Sequence, residues 1–248
     1  MFSSRNDYDY GVSTFSPEGR IQQVQYALKA IERGSTAIAI QTKDSVIFAV
    51  EKRLPSKLCD PASVRKTFHL DRHIACAMSG LVSDARILVQ KGREAAVSHE
   101  FDYNERISVP ALTRAICDEC LLMDSEGPRL SRPFGVGLLI GGIDENGPSL
   151  YVVDPAGSMV KCVAHSLGAG AKTAQKQLEK LYTPELSDSD AINILTSIIK
   201  SVVEEQLSVE NVEILVVHTN DSGKVICETV DEDSLKELID GVKNTELD

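Results

Sequence analysis

The sequence is poor in aromatic residues and lacks long apolar runs. It contains no tryptophan, and aromatic residues make up 5% of its 248 positions. No uninterrupted apolar stretch approaches the roughly 20 residues that a membrane-spanning helix needs. The first residues, MFSSRNDYDYG, are polar and acidic, and they lack the apolar segment of a signal peptide. These absences predict a soluble intracellular chain without a membrane partner.

Positive charge is also scarce. The chain carries 37 acidic and 26 basic residues, which give a net charge of −11. Nucleic-acid-binding proteins typically present a basic stripe or patch, often interleaved with aromatic residues. No such stripe occurs here, so a nucleic-acid partner is disfavoured.

The sequence has little that could bind a metal ion. Of its six cysteines, only Cys117 and Cys120 form a C-x-x-C pair. A structural zinc site needs a second pair or nearby histidines, and neither is present. The pair lies in a helical pattern, which favours two reduced, partly buried thiols. The five histidines show no triad or metal spacing, and we therefore expect neither a metal nor another cofactor.

The stretch from Tyr8 to Lys52 organises the rest of the chain. Ser16 is a suitable helix cap, Pro17 suits the first helical turn, and Gly34 follows as a stop. The apolar residues between them fall at helical spacing and are Ile21, Val24, Leu28 and Ile31. The runs TAIAI and VIFAV, separated by KDS, then predict two strands joined by a hairpin and buried on both faces.

The remaining patterns alternate between groups of strands and pairs of helices. The predicted order is strands, two helices, strands, two helices, strands, without a low-complexity linker. The stretch around Met159 to Val163 predicts one strand, and apolar residues at helical spacing predict the second pair of helices from about Gly168 to Tyr182 and from Ser187 onward. This order predicts an α+β fold in which two antiparallel sheets stack between helix layers. We expect one domain over residues 1–248, with a tail at 1–15, a helix at 16–33 and a core at 34–242.

Several motifs occur together in one order. They are YDYGVSTFSPEGRIQQVQYALKAIERGSTAIAI, AVEKR, PASVRK, CAMSGLVSDAR, SRPFGVGLLIGG and YVVDPAG. This series resembles the proteasome alpha-type subunits over roughly Tyr8 to Leu238. The segments CAMSGL and SRPFGV, with the start MF-x-x-R, are most similar to the type-5 group of that family. The resemblance implies the four-layer αββα sandwich of N-terminal-nucleophile hydrolases, with an extra N-terminal helix.

The resemblance also implies a function. Alpha-type subunits are non-catalytic and form the outer seven-membered rings of the proteasome core particle. The implied partners are other alpha subunits, beta subunits and activator particles that dock through C-terminal tails. The implied process is ubiquitin-dependent protein degradation in the cytoplasm and nucleus.

A gate cluster is implied by matching positions. In the family, N-terminal tails close the pore, and the open gate is held by a Tyr and an Asp from the tail, a Pro at a turn and a Tyr on the first helix. The matching residues are Tyr8, Asp9, Pro17 and Tyr26. Tyrosine hydroxyls, a carboxylate acceptor and aromatic packing on proline make such a cluster chemically reasonable. The chain departs from many relatives at Tyr10 and Gln25, where they carry charged residues.

An activator-tail pocket is implied in the same way. The lysine that meets the terminal carboxylate of the tail matches Lys66, and the residues that line the pocket match Gly34, Gly80 and Leu81. A lysine ammonium is a compact charge suited to a carboxylate, and glycine permits a close approach of the peptide backbone.

Two alternatives remain open at this point. One is a threonine or serine peptidase that cleaves itself before Ser35 or Thr36, because this chemistry needs a nucleophile whose free α-amine serves as base. In catalytic relatives a lysine lies beside the nucleophile, whereas here Thr67 falls near that place. Lys66 is one residue away and would point to the opposite strand face. The other alternative is a free-standing scaffold of the same fold.

Overall fold

The computed structural model describes residues 11, 14–56, 58–121, 132–203 and 206–241. Within these ranges the chain forms six α-helices and ten strands. The N-terminal half contains α1 (Gln22–Glu32), β1 (Ala37–Gln41), β2 (Val46–Glu51), β3 (Thr67–Asp71), β4 (Ile74–Gly80), α2 (Val82–Tyr103) and α3 (Val109–Leu121). The C-terminal half contains β5 (Val136–Asp144), β6 (Gly147–Val153), β7 (Met159–Cys162), β8 (Ala164–Leu167), α4 (Ala171–Leu181), α5 (Asp188–Val202), β9 (Val212–Thr219), β10 (Val225–Thr229) and α6 (Glu232–Gly241).

The strands form two antiparallel sheets of five strands each. The first sheet has the order β10-β9-β2-β1-β8, and the second has the order β3-β4-β5-β6-β7. The sheets bury a shared core that includes Ala39, Phe48, Ala77, Leu139 and Leu215. Because side chains alternate along a strand, the same strands of the first sheet send their other residues toward a helix layer.

The helices cover the outer faces of both sheets. Helices α2 and α3 pack on the second sheet through a core that includes Leu88, Leu112, Ile116, Leu138 and Ile140. Helices α4, α5 and α6 cover the first sheet through a core that includes Ile38, Ile40, Leu178, Leu195 and Leu235. The central strands are therefore buried on both faces, which explains the continuous apolar runs of β1 and β2. The four-layer αββα arrangement expected from the sequence is confirmed.

Helix α1 is the extra N-terminal element. It contacts β4 and β5, and its buried residues are Ala27 and Ile31. A Cβ on Gly137 would lie only 3.2 Å from Ile31 Cδ1, so the absence of a side chain at this glycine lets the helix pack closely on β5. The helix consequently lies across one end of the sandwich rather than on an outer face.

The predicted start of this helix at Ser16 is wrong, because α1 begins at Gln22. Residues 16–19 form a turn in which the Gly19 N–H donates to the Ser16 carbonyl at 2.8 Å. The Ser16 N–H donates to the Arg20 carbonyl at 2.8 Å and completes the reversal. Ser16 and Pro17 thus occupy the first two positions of a turn, for which these residue types are as well suited as for a helix start.

One strand was missed. The sequence predicted a single strand around residues 159–163, whereas the structure has β7 followed, after Val163, by β8. Strand β7 belongs to the second sheet and β8 to the first. Both are edge strands of mixed polarity, so their hydrophobic pattern was too weak to separate them.

The C-x-x-C cysteines lie in α3 and are both buried. Burial raises the pKa of the Cys117 thiol to about 11 and that of Cys120 to about 12. Because the thiolate is the reactive form, these two side chains behave as small core residues at neutral pH.

Among the described helices, none has both the length and the apolar character required to cross a bilayer.

Candidate functional site

A shallow pocket of about 500 Å³ lies where the C-terminal end of α1 meets the turn from β4 into α2. Its lining residues are Tyr26, Lys29, Ala30, Arg33, Gly34, Gly80 and Leu81. Three of the residues predicted for the activator-tail pocket, Gly34, Gly80 and Leu81, are therefore brought together by the fold. We call this site the α1 pocket.

Glycine is required at the base of the α1 pocket. A Cβ on Gly34 would lie 2.4 Å from the Gly80 nitrogen. Gly80 has a φ of +112°, and a Cβ there would lie 2.2 Å from the Gly135 carbonyl oxygen. Real Cβ atoms do not approach backbone atoms so closely, and a left-handed φ is costly for other residues. The base of the pocket is therefore made of closely packed backbone.

The rim of the α1 pocket combines apolar surface with positive charge. Tyr26 and Leu81 are 43% and 44% exposed. The Lys29 ammonium lies 5.7 Å from the centroid of the Tyr26 ring, within the range of a cation–π interaction. Arg33 is exposed beside them. Such a rim suits the end of a peptide chain that carries both an apolar side chain and a negative charge.

Ser79 holds the connection from α1 to β1, which lies behind the α1 pocket, by hydrogen bonds from its hydroxyl. Its hydroxyl approaches the carbonyl oxygens of Ser35 at 2.9 Å and Ile31 at 3.2 Å. The Ala169 N–H donates to the Gly34 carbonyl at 3.0 Å. The connection from α1 to β1 is thus held by β4 on one side and by the segment after β8 on the other.

Lys66, also predicted for this pocket, does not belong to its lining residues. It is 8% exposed, and its pKa is lowered by burial and by the positive charge of Arg53, with Glu51 acting in the opposite direction. Arg53 donates to Glu51 at 2.9 Å and to the Arg33 carbonyl at 3.3 Å. Lys66 therefore lies near the charges of Arg53 and Glu51, and of these residues Arg53 is the one that bonds to the Arg33 carbonyl beside the pocket.

The gate cluster is only partly within the described residues. Pro17 lies in the exposed turn before α1, and Tyr26 lies on α1 at the pocket rim. Tyr8 and Asp9 fall outside the described residues, as does Tyr10. The predicted contacts of the cluster therefore stay a prediction.

The position proposed for an alternative nucleophile is buried. Ser35 is 3% exposed, and its hydroxyl has no hydrogen-bond partner among the described residues. The Thr36 N–H donates to the Glu51 carboxylate at 2.9 Å, and Thr67 donates its hydroxyl proton to Glu213. Ser35 and Thr36 therefore lie in buried backbone immediately before β1, where they are packed as strand-entry residues.

An ion pair between a buried carboxylate and a partly exposed arginine lies beside the α1 pocket and was not predicted. The Asp84 side chain, 2% exposed, accepts from Arg132 Nη1 at 2.6 Å and Nη2 at 2.9 Å. Burial alone would raise the pKa of this carboxyl, but the hydrogen bonds from Arg132 and the Gly135 N–H outweigh it and hold the pKa below its usual range. The only signal in the sequence was that CAMSGLVSDAR and SRPFGV each contain charged residues within otherwise apolar motifs.

Comparison with known proteins agrees with the sequence motifs. Residues 31–217 match the family model of proteasome subunits, and residues 8–30 match the N-terminal signature of the A-type proteasome subunits. The alpha type-5 proteasome subunit of Trypanosoma brucei brucei is 44% identical over 97% of this chain and 98% of its own length. The probable alpha type-5 proteasome subunit of Schizosaccharomyces pombe is 44% identical over 86% of this chain and 88% of its own. The corresponding alpha type-5 protein of Drosophila melanogaster is 44% identical over 87% of this chain and 90% of its own.

The two family matches together span most of the chain, and the alpha signature covers the segment that leads into α1. The sandwich, the extra helix and the buried Ser35 agree with that assignment. The chain therefore belongs to the family of proteasome alpha-type subunits, and it is a non-catalytic, structural subunit that assembles with other proteasome subunits.

Proposed function

We propose that this subunit occupies an outer seven-membered alpha ring, next to other alpha subunits and above beta subunits, and that it docks activator tails and contributes to the gate. The observation that carries the docking proposal is the α1 pocket, in which Gly34, Gly80 and Leu81 meet. This placement is supported by the type-5 names of its relatives. Docking and gating serve ubiquitin-dependent protein degradation in the cytoplasm and nucleus.

The chemistry of the α1 pocket suits the C-terminal end of an activator chain. Backbone at Gly34 and Gly80 leaves room for a peptide to lie close to the base. Tyr26 and Leu81 offer apolar contact for a side chain of the tail. The terminal carboxylate meets positive charge, supplied by Arg33 in the lining and by Lys66 behind it.

This proposal is tested by changing the two cations separately in reconstituted core particles. A photo-crosslinking peptide that carries the C-terminal residues of an activator is titrated, and adducts on residues 26–34 and 80–81 are quantified by mass spectrometry, so that this pocket alone is measured. We expect Arg33→Ala to weaken crosslinking at least about fivefold, because it removes a charged partner of the carboxylate in the pocket lining. We expect Lys66→Ala to weaken crosslinking as well, because it removes positive charge from behind the pocket. Ring assembly should be unaffected.

Lys43→Ala is the matched control, since Lys43 is an exposed lysine in the turn between β1 and β2. It should crosslink as the unchanged chain does. Wild-type crosslinking in both Lys66→Ala and Arg33→Ala would show that neither cation binds the carboxylate and would overturn this assignment. A loss in Arg33→Ala alone would assign the carboxylate to Arg33 and remove Lys66 from the site.

For the gate we propose that residues 1–15 form a tail whose Tyr8 and Asp9 meet Pro17 and Tyr26 when the pore is open. Two features support it: Pro17 lies in an exposed turn, and Tyr26 lies on the accessible side of α1. A proline ring and a tyrosine ring present apolar faces on which the Tyr8 ring can pack.

The gate is tested with Asp9→Ala in the same particles. We expect a lower rate of activator-stimulated peptide hydrolysis and an unchanged rate without activator, because only the open state uses the cluster. Asp7→Ala removes a carboxylate two residues away and serves as the control. Equal stimulated rates for Asp9→Ala and Asp7→Ala would contradict the gate assignment.

A further inference from the structure

The α1 pocket is bounded on one side by the start of β5, and Gly135 is the residue that makes this contact. Its carbonyl accepts from the Leu81 N–H at 2.9 Å. A Cβ on Gly135 would lie 2.9 Å from Leu81 Cδ1 and 3.6 Å from Ala30 Cβ. The Gly135 carbonyl is also the atom that a Cβ on Gly80 would strike. Three lining residues of the pocket, Ala30, Gly80 and Leu81, therefore pack against Gly135.

Gly135 is held in turn by the Asp84–Arg132 ion pair. The Gly135 N–H donates to Asp84 Oδ2 at 2.8 Å, and the same oxygen accepts from Arg132 Nη1 at 2.6 Å. Arg132 Nη1 also donates to the Pro133 carbonyl at 2.9 Å. The Arg132 guanidinium therefore contacts both the Asp84 carboxylate and the backbone just before β5, which this carboxylate holds through Gly135.

The geometry of this pair is directional as well as attractive. Arg132 uses two nitrogens on the two oxygens of Asp84, which fixes the plane of the carboxylate and thus the direction in which it accepts from Gly135. A lysine would keep the charge but lose the fork. Since Asp84 is almost fully buried while Arg132 is partly exposed, removal of Arg132 leaves a buried carboxylate without its charged partner.

We propose that the Asp84–Arg132 ion pair is a positioning element of the α1 pocket, which fixes Gly135 and thereby the places of Leu81, Gly80 and Ala30 that an activator tail contacts. The effect on tail affinity rests on the proposed docking function. The effect on the geometry of Leu81 and Gly135 does not, because it concerns the bonds of this chain alone.

Hydrogen exchange of core particles tests the positioning directly. Arg132→Gln should speed amide exchange at Leu81 and Gly135 at least about tenfold. The reason is that the Gly135 N–H donates to Asp84 and the Leu81 N–H donates to the Gly135 carbonyl, so both bonds depend on the position of the carboxylate. Arg132→Lys should give a smaller increase, since it keeps the charge without the fork. Arg86→Gln, which changes an exposed arginine in the same turn of α2, should leave exchange unchanged.

The crosslinking assay on the same particles tests the consequence for the tail. We expect half-maximal crosslinking at an activator-peptide concentration at least about threefold higher in Arg132→Gln, an intermediate value in Arg132→Lys, and no change in Arg86→Gln. An Arg132→Gln chain that fails to assemble leaves Arg132→Lys as the deciding variant for both measurements.

The possible outcomes separate the two proposals. Unchanged exchange in Arg132→Gln, or in Arg132→Lys where only that variant assembles, overturns the positioning role. Faster exchange with wild-type crosslinking overturns the effect on tail affinity. If the unchanged particle does not crosslink at all, the docking function fails, and faster exchange in the variants still supports the positioning role.

Discussion

The two ends of the sandwich are closed in different ways. At the α1 end, chain segments meet backbone to backbone, and the contacts depend on glycines. Gly80 faces the Gly135 carbonyl, and Gly168, with a φ of +98°, would place a Cβ 2.4 Å from the Ser35 carbonyl oxygen. At the far end, where β1 turns into β2, the contacts are made by side chains. Asp188 accepts from the hydroxyls of Thr42 at 2.7 Å and Ser45 at 2.6 Å, which ties the hairpin to α5.

The same use of side chains holds the connection between α2 and α3 at the far end. His73, which is buried, pairs through Nε2 with the Ile107 carbonyl at 2.9 Å. Asp144 Oδ2 accepts from the Val109 N–H at 3.0 Å. The contrast is not absolute, because Ser79 and Asp84 bond through their side chains at the α1 end, and a Cβ on Gly142 at the far end would lie 2.4 Å from the His73 carbonyl oxygen. The α1 end nevertheless depends chiefly on close backbone packing, and the far end chiefly on side-chain hydrogen bonds. Substitutions should act differently at the two ends.

The largest effect is expected for Gly80→Ala at the α1 end. The new Cβ meets backbone that cannot move aside, at a left-handed φ that alanine rarely adopts. We expect the free energy of unfolding to fall by about 3 kcal/mol or more, measured by urea titration with far-UV circular dichroism, and the α1 pocket to lose its affinity for an activator tail.

Gly223→Ala provides the matched control. Gly223 also has a positive φ, +74°, but a Cβ there has nothing within 4 Å. Its cost should be only about 1 kcal/mol, without an effect on the pocket. Equal losses for the two variants would show that φ alone, rather than close backbone packing, determines the behaviour of the α1 end.

A smaller effect is expected for Asp188→Ala at the far end. Loss of the carboxylate removes the charged acceptor that the buried hydroxyls of Thr42 and Ser45 share. The acceptors left to these hydroxyls within the described part of the chain are each other and the Ser45 carbonyl, and the free energy of unfolding should fall by about 2 kcal/mol. Asp188→Asn keeps one acceptor oxygen and should lose less. Crosslinking of the activator peptide should be unchanged in both.

Crosslinking of the activator peptide in Asp188→Ala tests whether the two ends of the sandwich act independently. If Asp188→Ala weakens tail crosslinking as strongly as Arg132→Gln does, the two ends are mechanically connected and the pocket is not set locally. If it lowers stability alone, the α1 pocket is determined by its own local contacts, including those of the Asp84–Arg132 ion pair.

Periodicity predicted much of the fold because the central strands are buried on both faces. The runs of β1 and β2 have no polar interruption, and the predicted hairpin between them is confirmed. Helices α4 and α5 likewise followed the predicted apolar spacing, and Ser187 caps α5 by accepting from the Asp190 N–H at 3.2 Å, as the residue type allows.

Periodicity failed where two local structures share the same residue preferences. Ser-Pro-Glu-Gly suits a type I turn, with serine first, proline second and glycine fourth. It suits a helix start equally well. The sequence alone does not distinguish the turn from the helix start. The bridge between Phe15 and Ile21 that closes the turn has no recognisable signal in the sequence pattern.

The candidate site was predictable only through resemblance. Nothing in the spacing of Gly34 and Gly80 indicates that their backbones meet, since this depends on α1 crossing the end of β4. The same holds for Asp84 and Arg132, which lie 48 positions apart. An aspartate in the first turn of a helix has an adequate local explanation in the helix dipole, so its partner becomes visible only in the folded chain.

The missed strand β8 has a consequence for how the molecule opens. Residues 159–167 form the edge strand β7 of one sheet and then, after a single residue, the edge strand β8 of the other, so that one continuous segment joins the two sheets along this side. It is joined by four register pairs to β6 and by four to β1. The sheets cannot part along this side unless the segment first leaves one of its two ladders. Separation of the two sheets along this side thus requires local unfolding of β7 or β8, and the two sheets form one cooperative unit there.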